Sequence, residues 1–325
     1  MKRQITVLTL CAVLFALSLS AHAQQPKKIY RVGYLANSAG IGPVQEAFRQ
    51  GLRELGYTEG QNVLIEWRFS KGQLDRNPAL AAELVKLNMD CIVAVGVGPT
   101  RAAKEASDTI PIVMANADDD PIRYGLVASL ARPGGNITGF INIGSELAGK
   151  RLELLKETVP KVSRVAILRG SGEAAAGHER ETKIAAHTLG VQLQSLEVRD
   201  VNALENAFQA AKSGRAEALT IVHTGLITAN RTQVVNLVAK TRLPAIYSDS
   251  QPVLSGGLMS YSDDSIDRSR RVADYVARIL KGTKSADLPV QRPVKFEFII
   301  NLKTAKQIGL TIPPNVLSRV DKVFK

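Results

Sequence analysis

The sequence predicts an α/β protein built as two lobes, each a parallel sheet covered by helices on both faces. Three observations carry that expectation. Short β-branched apolar runs alternate with helical repeats from residue 29 onward. The alternation halts at Gly134-Gly135-Asn136 and then restarts. At 325 residues the chain is too long for one small core and comfortable for two domains of roughly 150 residues each. Its content of 45% hydrophobic, 22% charged and 5% aromatic residues excludes collagen-like, low-complexity and largely disordered classes.

In the first lobe Ile29 to Leu35 reads as a strand. Val44, Phe48, Leu52 and Leu55 then recur at helical spacing until Gly56 ends the helix. Asn62 to Phe69 reads as a strand, Pro78 to Leu87 as a helix and Cys91 to Val95 as a buried strand. A helix from Thr100 to Ser107 leads into the strand Pro111 to Ala115. Strands separated by helices call for parallel crossovers.

In the second lobe a helix carrying Leu147, Leu154 and Leu155 stops at Pro160, before the strand Arg164 to Leu168. A helix through Ile184 to Leu189 stops at Gly190, ahead of the strand Val191 to Val198. Asn202, with Glu205 three residues on, predicts a capping box for the helix of Leu204 and Phe208. Strand Ala218 to Val222, helix Thr228 to Lys240 and strand Ala245 to Tyr247 complete this unit. Gly257 to Tyr261 reads as another strand, and Ile266, Ala273, Val276 and Leu280 mark a long helix. The strand Phe296 to Ile300 and a helix from Leu302 to Ile308 follow. Such late elements imply a chain that crosses between lobes more than once. The expected crossings are Asn136 to Phe140, Asp249 to Leu254 and Lys281 to Val294. Lobe 1 would then hold residues 24–137 and 255–283, including the helix from Ile266. Lobe 2 would hold 138–254 and 284–325.

The first 23 residues read as an export signal. Met1-Lys2-Arg3 is a positive start, Ile5 to Leu19 is apolar, and Ala21-His22-Ala23 offers small residues at a cleavage site. The apolar stretch is short for a bilayer span of about 20 residues. Cys11 lies inside it without the small preceding residue that lipidation needs. Its removal leaves Cys91 alone, so no disulfide framework is expected. The expected product is a protein released into the periplasm.

Charge and motifs exclude several classes. The formal net charge is +12, yet the basic residues are scattered, with no Lys/Arg run and no aromatic-basic motif, so no nucleic-acid partner is expected. The three histidines of the mature chain, His178, His187 and His223, show no HExxH or HxH spacing, so no metal site is expected. There is no GxSxG, no phosphate-binding lysine loop and no kinase set. Gly96-Val97-Gly98 imitates the start of a dinucleotide fingerprint without its third glycine, and no cofactor is expected.

Open α/β sheets bind ligands beyond the carboxyl ends of their strands, where helix N-termini offer free N–H groups. That rule selects Asn37, Ser38, Gly98, Thr100, Asp118 and Asp120 in the first lobe. In the second it selects Ser171, Glu173, His223, Thr224 and Asp249, with Tyr261 near the return crossing. Each has a plainer reading: Ser38 and Thr100 as helix caps, Asp118 to Asp120 as a turn before Pro121, His223 as a loop histidine.

Several ordered stretches carry a resemblance. They include Phe48-Arg49-Gln50-Gly51-Leu52-Arg53-Glu54-Leu55-Gly56-Tyr57, Glu59-Gly60-Gln61-Asn62-Val63 and Leu80-Ala81-Ala82-Glu83-Leu84-Val85. The most diagnostic runs from Gly125-Leu126-Val127-Ala128-Ser129-Leu130 through Ala131-Arg132-Pro133-Gly134-Gly135-Asn136-Ile137-Thr138-Gly139. Lys150 to Leu155, Gly256 to Tyr261 and Ile299 to Ala305 add to it. Together the chain resembles the ABC-transporter substrate-binding proteins of the tryptophan/tyrosine-binding type. The resemblance implies a type 1 periplasmic-binding fold, with two Rossmann-like lobes joined by a three-strand hinge and closing on a ligand. It implies a monomeric receptor, not an enzyme. That receptor delivers a small polar molecule, with an amino acid (an aromatic one first) as the leading guess, to a membrane permease driven by a cytoplasmic ATPase. The alternatives are a receptor presenting its ligand to a membrane signalling partner and a secreted hydrolase using His223 with Asp249 or a nearby serine.

Overall fold

The computed structural model describes residues 28–117 and 120–325. The expected export signal, 1–23, and Asp118 lie outside them, as does the side chain of Glu173. The first sheet is formed by β1 (Tyr30–Ala36), β2 (Val63–Phe69), β3 (Cys91–Val95), β4 (Ile112–Ala117) and β5 (Ile137–Ile141). Its order is β2-β1-β3-β4-β5 and every pairing is parallel. The helices between are α1 (Pro43–Glu54), α2 (Asn77–Lys86) and α3 (Val97–Ala106). Cys91, Ile92, Val93 and Ala94 are fully buried because side chains on both faces of β3 enter a core. Helix α3 starts at Val97, about a turn before the expected Thr100. Gly96, with φ +94°, makes the sharp turn out of β3 that permits this early start.

The second lobe begins with α4 (Ala148–Thr158), β6 (Arg164–Gly170), α5 (Glu173–Leu189), β7 (Gln192–Val198), α6 (Ala203–Ser213) and β8 (Ala218–Ile221). The expected capping box on α6 does not form. Asp200 Oδ1 instead accepts from Asn202 N at 2.8 Å and Ala203 N at 3.1 Å. The single helix expected from Thr228 to Lys240 is two, α7 (Gly225–Ala229) and α8 (Arg231–Thr241), joined at Asn230. After β9 (Ala245–Tyr247), residues expected to cross between lobes form the short helix α9 (Gln251–Leu254), which stays in this lobe.

The chain then runs through β10 (Met259–Asp263), α10 (Ser265–Leu280), β11 (Phe296–Asn301), α11 (Leu302–Gln307), α12 (Pro314–Leu317) and β12 (Lys322–Phe324). The second sheet has the order β12-β11-β10-β9-β8-β6-β7. Strand β10 pairs with β9, so the strand at Gly257 to Tyr261, expected in lobe 1, belongs to the second sheet. The four residues of α9 provide no span to carry the chain across beforehand. Strand β5 likewise lies wholly in the first sheet, so the first crossing falls after Ile141, not from Asn136.

Helix α10 returns to lobe 1 as expected and packs on α1. A Cβ placed on Gly51 would lie 2.9 Å from Ala273 Cβ, so only glycine admits this close helix contact. Phe48, Leu52, Val272 and Val276 fill the same core. Asp264 begins α10 by accepting from Ile266 N and Asp267 N, both at 3.0 Å. The chain leaves lobe 2 at the end of β10 and re-enters at that same end, which forces β11 to run antiparallel to β10.

The crossing segments lie side by side. Ile141 N donates to Gln291 O at 3.0 Å, Gln291 N to Gly139 O at 2.9 Å, and Asp264 N to Lys295 O at 3.0 Å. Lys295 Nζ also pairs with Asp264 at 2.9 Å. Backbone bonds between short crossing segments make a pivot that bends as a unit.

Candidate ligand-binding cleft

The carboxyl ends of the two sheets face each other across a cleft of about 1000 Å³. Three longer helices, α1, α3 and α5, begin at its walls. Their N-cap glycines Gly42, Gly96 and Gly172 all line it. Unpaired N–H groups at such starts favour acceptor atoms on a bound molecule. At the edge farthest from the crossings the lobes touch. A Cβ built on Gly72 would lie 2.6 Å from Ala229 Cβ, and one on Gly225 would lie 3.0 Å from Leu74 Cδ2 and 3.1 Å from Asn37 Nδ2.

Six of the sequence-selected residues meet at this cleft: Asn37, Ser38, Ser171, His223, Thr224 and Asp249. Asn37 Oδ1 accepts from Ser70 Oγ at 2.9 Å and Asn77 Nδ2 at 3.1 Å, which ties the loop after β2 to the loop after β1. Thr224 caps α7 by accepting from Ile227 N. Four others do not line the cleft. Gly98 is already helical and faces Asn77. Thr100 is fully buried within α3, where its hydroxyl donates to Gly96 O at 2.7 Å, because the early helix start moved it off the N-terminus. Asp120 closes a turn, accepting from Ile122 N and Arg123 N, which is the plainer of its two readings. Tyr261 packs on Phe296 and Phe298 along the second sheet. Thr100 and Asp120 therefore do not meet Ser171, His223 and Asp249 across the gap. Glu173 opens α5 at the cleft side.

Charge enters from both lobes. Asp249 Oδ1 accepts from Gln251 N at 2.8 Å. Arg268, on α10 of lobe 1, pairs with Asp263 and feels the carboxylate of Asp249. Burial lowers its guanidinium to about 10, still fully charged at neutral pH. His178 on α5 is buried, and desolvation, with Arg151 and His223 nearby, pushes it down to about 3, so it is neutral. His223 Nδ1 lies 3.8 Å from Asp249 Oδ2, beyond hydrogen-bond reach. Thr228 Oγ1 lies 3.3 and 3.2 Å from the two ring nitrogens but donates to Thr224 O at 2.8 Å. Ser248 Oγ accepts from the His223 backbone N at 2.6 Å. This is no arrangement of nucleophile, base and orienter, and the hydrolase alternative finds no support in it.

Sequence reasoning passed over Gln45, His178, Tyr247, Gln251, Ser265 and Arg268, all of which line the cleft. One signal was available. An arginine just inside the start of a helix sits against the macrodipole, and Arg268 occupies such a place in α10. Among the described residues, no group of three or more His, Cys, Asp or Glu is placed to hold a metal ion. No helix among them is long and apolar enough to cross a membrane.

Two α/β lobes, a paired set of crossings and a polar cleft between sheet ends define a receptor for a small solute. The chain belongs to the ABC transporter substrate-binding protein family, whose model matches residues 38–324. It is 26% identical over 285 residues to the tyrosine-binding protein of Clostridioides difficile (strain R20291), covering 86% of this chain and 80% of that protein. Among solved structures it is similar to an ABC domain in complex with L-Trp from Streptococcus pneumonia. There the TM-score is 0.81 and the identity 26%, over 91% of this chain and all (100%) of that one. A conserved domain protein from Vibrio cholerae O1 biovar eltor gives 0.82 and 27%, with the same coverage. The fold is the type 1 periplasmic-binding fold that the resemblance implied.

Proposed function

We infer that this protein is an exported periplasmic receptor that captures a free amino acid, an aromatic one first, in the interlobe cleft. It acts as a monomer without chemical turnover and passes its cargo to a membrane permease coupled to a cytoplasmic ATPase. The observation that carries this reading is the placement of opposite charges on opposite lobes, Arg268 from lobe 1 and Asp249 from lobe 2. A zwitterion bound between them meets complementary charge from each lobe, so binding favours closure. The relatives' ligands, tyrosine by name and L-Trp by structure, support the class.

The test is thermal unfolding of refolded, ligand-stripped protein against the twenty amino acids and a panel of sugars and dicarboxylates. A ligand at a hundred times its Kd stabilises by about 2.7 kcal/mol, a clear rise in Tm. Aromatic amino acids are expected to give it. A rise with sugars alone, or with nothing, would sink the reading.

A further inference from the structure

Basic residues that lie scattered along the sequence gather at one end of the folded chain. Strands β6, β8, β9 and β10 run parallel, so their amino ends share the base of lobe 2, opposite the cleft. Antiparallel β11 ends there too, where Met259 pairs with Ile300. Hydrogen bonds tie the loops of this base into one row. Arg164 Nε donates to Arg215 O, Leu219 N to Pro244 O and Asn301 N to Leu258 O, each at 2.8 Å. Thr304 Oγ1 donates to Gly256 O at 2.9 Å.

Cations collect along this row. Lys161 precedes β6, Arg215 follows α6, Lys240 and Arg242 flank the end of α8, and Lys303 and Lys306 lie on α11. All six are exposed. The carboxylates nearby are already engaged. Glu217 accepts from Ser163 N at 2.7 Å and pairs with Arg164, and Glu157 pairs with Arg319. Among the described residues, none of the six cations forms an ion pair. The row spans the five strands β6, β8, β9, β10 and β11. At about 4.8 Å per strand that is roughly 20 Å. Loops one strand apart lie within the screening length of about 8 Å at physiological salt, so their fields add.

Helix stability accounts for little of this charge. A cation suits a helix C-terminus, as with Lys240 and Lys306. Lys303, however, stands in the first turn of α11, against the dipole, and Lys161 belongs to no helix. At the same end of lobe 1 the signs mix. Lys28 pairs with Asp90 at 2.7 Å, Arg53 is followed by Glu54, and Lys284 by Asp287.

We propose that the base of lobe 2 docks on an anionic phospholipid surface, which leaves the cleft facing away from that surface. Long unpaired side chains spread along a row suit mobile headgroups, which move to meet each cation. A protein partner would need a fixed acceptor opposite every one. The export reading decides only which leaflet is met, so its failure leaves this docking surface standing.

Sedimentation of the purified protein with phosphatidylglycerol vesicles tests the proposal, with phosphatidylcholine vesicles as the neutral comparison. Binding is expected to phosphatidylglycerol alone, and is expected to vanish in about 0.5 M salt. Two double variants, Lys303→Gln with Lys306→Gln and Lys161→Gln with Lys240→Gln, each remove two charges from the row. Each charge is worth about fivefold, so either double variant is expected to bind roughly twenty-five times more weakly. Lys281→Gln with Lys284→Gln, on lobe 1, removes the same net charge and is expected to leave binding unchanged. Thermal unfolding checks that all three variants fold. Equal binding to both lipids, no binding to phosphatidylglycerol, or an equal loss in the lobe 1 variant overturns the proposal. Sedimentation with purified murein but not with vesicles would also overturn it, and would assign the row to a wall polymer.

Discussion

His178 shows how a single buried side chain ties pH to stability. Its imidazole is neutral in the fold and protonates only near pH 3, whereas in the unfolded chain it protonates near its ordinary value of 6.5. Between those values the unfolded state binds the extra proton. Stability is therefore complete above about pH 6.5 and falls on acidification, by up to about 1.4 kcal/mol per pH unit for this group. Denaturant midpoints measured between pH 7.5 and 5 are expected to fall for the native protein and to fall less steeply for His178→Gln. Equal slopes would show that this histidine does not stay neutral. Other polar residues show what a sequence hides at this scale. Asn37, Ser171, His223 and Asp249 were readable because strand ends in α/β sheets face ligands. Thr100 was misread because a shift of three residues in a helix start turns a cleft-facing cap into an interior hydroxyl. Tyr247 and Ser265 gave no signal, since one reads as strand core and the other as an ordinary helix start.

The elements were largely readable where apolar periodicity is strong. Cys91–Val95 and Ala245–Tyr247 have the expected limits, and α10 follows its spacing almost to the residue. The failures share a cause. Helix α9 and strand β12 are too short to carry a period, and sheet membership after β9 depends on contacts far apart in sequence. At the mouth of the cleft two elements meet with almost no side chain between them, the loop at Gly72 and helix α7. Small residues there let the lobes close fully. Ala229→Leu is expected to hold the mouth ajar, raising the ligand dissociation rate and Kd by tenfold or more, on the order of 1.4 kcal/mol. The Tm without ligand should barely move, because the new side chain can stay in solvent when the lobes part. Stopped-flow fluorescence and calorimetry check this, and unchanged release would show that the seam does not govern closure.

At the scale of the whole molecule, both lobes are finished by the same late segment. Helix α10 covers one face of the first sheet, burying Val272, Ala273, Tyr275 and Val276 against Phe48 and Leu52. Strands β10, β11 and β12 complete the second sheet. A fragment ending at Leu254 is expected to unfold without a cooperative transition in circular dichroism, because it exposes one core and leaves β9 as an open edge. A sharp transition in that fragment would show that one lobe folds alone. The double crossing also sets a clock. A ribosome supplies the chain from its N-terminus. The first sheet has its five strands by Ile141 but waits for α10 to cover one face, while the second sheet waits for β10, β11 and β12. Closing either lobe therefore depends on contacts between residues far apart in sequence, which form slowly.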